Sequence, residues 1–136
     1  MIDLEEPDNR APRLATENYD VVSQNLRLIR APGLNTWSSP KRWSEAAVAQ
    51  DRAGSILFLF SRSPFSMAEL NRRILALPLG IVRAAHMEGG PEASLSICAT
   101  AAEEDLEGSY ETGFHESDDN RRQWFIPNVL GVAAVR

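Results

Sequence analysis

Cysteine and lysine are almost missing from this sequence. The single cysteine, Cys98, excludes an internal disulfide, so the fold must be held by its own core. That argues against a stapled secreted scaffold and points to a reducing compartment. Lys41 is the only lysine, and every other basic residue is arginine, whose planar fork makes paired contacts that lysine does not. No apolar run approaches the 18 or so residues of a membrane span, and the opening MIDLEEPDNR is acidic, unlike a signal peptide. The expectation is a soluble cytoplasmic protein without a membrane partner. Histidine is scarce too, with only His86 and His115. No glycine-rich phosphate loop, metal-ligand spacing or cofactor motif is present, so no cofactor is expected.

What is present is an ordinary globular composition: 43% apolar and 24% charged residues in a chain of 136. That length fits one domain, able to bury roughly two thirds of its unfolded surface. Residues 1–18, with Pro7, Pro12 and many charges, read as an irregular acidic arm. Residues 19–136 read as a single α+β domain. The net charge of −5 is unevenly placed, with two acidic flanks around a mildly basic middle. Arg27, Arg30, Lys41 and Arg42 near Trp37 and Trp43 would suit a single-stranded nucleic acid. The acidic total makes direct nucleic-acid binding an unfavoured reading.

The most legible stretch is Gly54 to Thr100. Ile56–Phe60 is apolar without a break, the pattern of a strand covered on both faces or central in the sheet. Ser66 with Glu69 forms a capping box, Phe65 and Leu70 a hydrophobic staple, and Met67, Leu70, Ile74 and Leu77 an apolar stripe ended by Pro78. Leu79–Glu88 and the alternating Ala93–Thr100 read as a hairpin around Gly89-Gly90. Before this unit, Tyr19–Arg30 reads as a strand. Ser39-Pro40 then opens a helix over 40–52, closed by Gly54. After it come a helical turn at 101–106, an acidic loop, a short helix over 118–125 and a strand over 129–135.

From Ser55 this order is β-α-β-β-α-β, that of a ferredoxin-like sandwich, an antiparallel or mixed sheet with helices on one face, preceded by an extra strand and helix. Counted from residue 19, it resembles instead the thioredoxin family. Trp37-Ser38-Ser39-Pro40-Lys41 is similar to that family's Trp-Cys-Gly-Pro-Cys segment, and Pro78 to its proline before a strand. The resemblance implies a thioredoxin-like α/β fold without the cysteine pair, hence without dithiol chemistry.

For function, the acidic run 103–119, with its aromatic neighbours, is the most distinctive feature. Glu103, Glu104, Asp105, Glu107, Tyr110, Phe114 and Trp124 are the candidate contact residues. They favour a non-catalytic protein-binding, assembly or regulatory protein, with a protein partner or a second copy in a homodimer. Two alternatives stand beside it. One is a small enzyme or ligand-binding domain with a pocket near Cys98 and His86, using Cys98, His86 or His115. The other is an acidic inhibitor of a nucleic-acid-binding protein.

Overall fold

A computed structural model describes residues 25–134. The acidic arm and the first part of the expected strand over 19–30 lie outside the described residues. The elements are β1 (Arg27–Arg30), β2 (Leu34–Asn35), β3 (Arg42–Asp51), β4 (Ile56–Ser66), α1 (Met67–Ala76), β5 (Ile81–Gly89), a 3-10 turn (Gly90–Glu92), β6 (Ser94–Ala99) and β7 (Ala102–Glu107). Five strands form one sheet in the order β2-β1-β5-β3-β4, and β6 and β7 form a separate ribbon. Every strand pair is antiparallel.

This overturns both fold expectations. A ferredoxin-like sandwich needs a second helix between its later strands, and a thioredoxin-like fold needs parallel pairing. Among the described residues there is one α-helix and no parallel pair. None of the described helices is long and apolar enough to cross a membrane.

The decisive difference is β3. Ser39-Pro40 and the alanines of WSEAAVAQ suggest a helix, yet Arg42–Asp51 is a strand with six successive buried residues, 44–49. It lies between β4 and β5 and is paired with both. Ala47 and Ala49 face the core beneath α1. Small side chains suit this central position, where packing outweighs a weak helix propensity. Gly54 does take the left-handed conformation (φ +91°) that a helix C-cap would need, but it uses it in the β3–β4 turn. There the Ser55 N–H donates to Asp51 Oδ1 at 2.8 Å, and these turn contacts, outweighing any burial, hold the Asp51 pKa below its usual value.

Ile56–Phe60 is a strand as expected, but β4 is the outer strand of the sheet and not a covered one. Ile56 and Phe58 remain exposed. At its end the Glu69 N–H donates to Ser66 Oγ, the N-cap of α1, at 3.4 Å. The Glu69 carboxylate does not close the box; Arg72 and Arg73 hold it instead. Met67, Leu70 and Ile74 bury the inner face of α1 against Leu28, Ile29, Ile81 and Ala84 of β1 and β5, while Leu77 stays half exposed.

The expected hairpin between 79–88 and 93–100 does not form. β5 is already flanked by β1 and β3, so no edge is left for β6. After the 3-10 turn β6 pairs with β7, whose residues had suggested a helical turn. This ribbon lies against β3 and β4. Residues 118–125 form no helix and 129–134 no strand. Side chains take over the backbone there. Arg62 Nη2 donates to Asn120 O at 2.8 Å, and Ser109 Oγ accepts the Asn120 N–H at 3.2 Å.

Candidate functional site

The sheet brings together one buried acid and one imidazole. Glu45 of β3 is paired with Gly89 of β5, and a register shift next to it sets Ala47 opposite His86. His86 Nδ1 lies 2.8 Å and 2.9 Å from the two oxygens of Glu45. Trp43 Nε1 donates to Glu45 Oε2 at 2.6 Å. Trp43 stands edge-on to His86, and Trp37 edge-on to Trp43. The Glu45 side chain is 1% exposed and that of His86 15%. Only His86 therefore offers this pair an outlet to solvent. With Nδ1 on the carboxylate, its other ring nitrogen is the one available for chemistry.

Burial pushes the Glu45 carboxyl above its ordinary pKa, and the hydrogen bonds from His86 and Trp43 offset only part of that. For His86, burial opposes the charged form. The hydrogen bond and charge of Glu45, with the charges of Glu88 and Glu111, outweigh it and raise the pKa. Glu92 is also raised, first by burial and then by Glu88 and Glu111. The pair thus sits beside an acidic rim of Glu88, Glu92 and Glu111.

Gly90 places Glu111 over this rim. A Cβ on Gly90 would lie 2.9 Å from Glu111 Cβ, and the left-handed φ of +63° also favours glycine there. Glu111 bridges to both Trp43 and His115. The loop that carries it is pinned to β3. Ser44 Oγ donates to Arg62 O at 2.6 Å and accepts the buried Ser109 N–H at 3.0 Å. Asn120 Nδ2 donates to Gly108 O at 2.6 Å. Beyond Glu111, an open cleft of about 370 Å³ is lined by His115, Asp119, Asn120, Arg121, Arg122 and Trp124.

The residues singled out from the sequence are dispersed. His86 joins Glu45, but Cys98 is exposed on β6 opposite Glu103 and takes no part in that pair. His115 meets Trp124 and Asp119 instead. Among the described residues, no group of three or more histidine, cysteine or acidic side chains is placed to hold a metal ion. Glu103, Glu104 and Asp105 are exposed along β7. Glu107 pairs with Arg62 at 3.1 Å, the Tyr110 carbonyl accepts the Ser44 N–H, and Phe114 stands edge-on to Trp124. Trp37 and Trp43 pack against the core and are not displayed as a stacking platform. Glu45 is not marked as a site residue by the sequence, because it lies inside an apparent helix. The available signal was a lone carboxylate among apolar residues, which is seldom buried without a partner.

Residues 4–133 match the family model described as phosphodiester glycosidase. Searches of curated proteins and of solved structures return no significant match. The family match is at odds with the expected protein-binding accessory subunit.

Proposed function

Because the chain belongs to the phosphodiester glycosidase family, we propose that it hydrolyses the glycosidic bond of a sugar phosphodiester, with His86 as the proton-transfer group and Glu45 as its positioning residue. The observation that carries this reading is the buried Glu45–His86 hydrogen bond, in which His86 alone reaches solvent.

In this reading the ring nitrogen of His86 remote from Glu45 takes a proton from water. The water oxygen bonds to the anomeric carbon. The bond from that carbon to the phosphate oxygen breaks, and its electron pair leaves with the phosphomonoester. A phosphate is a good leaving group, so base assistance to water matters more than acid assistance to departure. Glu45 holds the ring by Nδ1 and stabilises the imidazolium that forms, as an orienting carboxylate does in a catalytic triad. Acids of the rim, Glu88 and Glu111, favour the positive charge that builds on the sugar.

The test is hydrolysis of the phenyl diester of glucose 1-phosphate, read as the free glucose released. His86→Ala should lower kcat by about 10²–10⁴-fold, the usual worth of a positioned acid or base, with an unchanged circular dichroism spectrum. Glu45→Gln should lower kcat and shift the acid limb of the pH profile downward. For the intact chain, kcat/KM should rise with pH through the elevated His86 titration. A folded His86→Ala variant of full activity, or a rate that falls over that interval, would overturn the assignment.

A further inference from the structure

The cleft beyond Glu111 has a chemistry different from the acid–imidazole pair. Residues 103–119 hold eight acids and no base, yet two consecutive arginines, Arg121 and Arg122, line this cleft. Arg121 Nη1 donates to the carbonyls of Asp118 and Asn120 at 2.7 and 2.8 Å, which fixes the guanidinium and leaves further donors of its five. The Arg122 guanidinium has no hydrogen-bond or ion-pair partner among the described residues. Of the nearby acids, Asp118 is engaged by Arg62 at 2.8 Å, and Asp119 lies 3.4 Å from His115 Nε2.

Trp124 forms the opposite character of the cleft. Its indole Nε1 donates to Asn120 Oδ1 at 3.2 Å, and Phe114 and His115 stand edge-on against it, with centroids 6.2 and 6.1 Å away. A held indole beside two guanidinium groups matches a ligand with a ring to stack and a phosphate to pair. The cleft's volume falls within the range of small-molecule sites. It is also coupled to the first site. Glu111 donates its N–H to the His115 carbonyl at 2.8 Å and bridges to Trp43, which carries the Glu45 hydrogen bond.

We infer that this cleft is a sugar-phosphate subsite, in which Arg121 and Arg122 pair with the phosphate and Trp124 stacks on the sugar. The class of ligand rests on the glycosidase reading above; the location rests on the cleft itself. Arginine is the residue best matched to such a group, since its parallel N–H donors meet two phosphate oxygens at once.

Binding of a probe that is not turned over separates the two proposals. In a titration with glucose 6-phosphate, which has no anomeric phosphate bond, the three tryptophan indole N–H signals are followed by NMR, with Trp124→Phe giving the assignment. The Trp124 signal should shift saturably. The double variant Arg121→Ala/Arg122→Ala should weaken binding at least about tenfold. Arg72→Ala, on the exposed face of α1 and outside the cleft lining, should leave it unchanged. Free glucose should bind much more weakly, and added salt should weaken the sugar phosphate. A Trp124 signal that does not move, or a double variant with a dispersed spectrum and undiminished affinity, would overturn the subsite. Loss of the His86 assignment in the activity assay leaves this result standing, and the reverse also holds.

Discussion

Gly89 lies close against the indole of Trp43. A Cβ built on Gly89 would sit 2.8 Å from Trp43 Cδ1 and 3.4 Å from His86 Cε1. The backbone at Gly89 is ordinary extended chain (φ −122°), so space, and not conformation, requires glycine there. That space lets Trp43 reach Glu45 while standing edge-on to His86.

Gly89→Ala should therefore act as overpacking. Trp43 must move or the strands must part, at a cost of about 1–3 kcal/mol. Urea unfolding followed by tryptophan fluorescence would measure it. An unchanged midpoint would show that Trp43 yields freely and that the Glu45 contact is not held by packing.

The buried pair should make stability depend on pH with a definite sign. Both groups have raised pKa values in the folded chain, Glu45 above 4.5 and His86 above 6.5. The folded state therefore binds more protons than the unfolded state across that window. Stability must fall as pH rises through it. The His86 contribution is complete below about pH 6.5 and is lost as pH passes its folded value. Glu45→Gln removes the acid's titration and the charge that raises His86, so its Tm should vary less between pH 5 and 9. Parallel Tm profiles for the two proteins would refute the coupling.

Ser44→Ala should loosen the loop that carries Glu111. It deprives the buried Ser109 N–H of its acceptor and the Arg62 carbonyl of a donor. An unsatisfied buried polar group costs about 1–3 kcal/mol. Thermal unfolding would give the total, and faster hydrogen exchange at the Ser109 amide would locate it. If exchange there stays slow, another group has replaced the Ser44 hydroxyl.

Local signals in the sequence were reliable where the chemistry is local. The cap at Ser66 needs only a hydroxyl three residues before an amide, and it forms. Arg42–Asp51 is different, because alanine is compatible with either element and the choice fell to its neighbours. So is 118–125, where Arg62 and Ser109 supply the Asn120 backbone with partners that a helix would have supplied from within.

The candidate site was only half legible. His86 stood out as one of two histidines. Its partner lies 41 residues earlier, and no spacing rule connects them. Cys98 looked a natural companion to His86 as long as the two strands shared a hairpin, and that pairing does not exist.

The sequence by itself determined the helix from Met67 to Ala76 and the lack of an internal disulfide. These depend on a few adjacent residues or on composition. Only the tertiary structure decided that β3 is a strand, that β5 is flanked by β1 and β3, and that Glu45 meets His86. Those outcomes depend on which strands compete for the same backbone partners. The winning arrangement buries Ala47 and Ala49 beneath α1 and leaves one carboxylate inside, where a partner across the sheet must satisfy it.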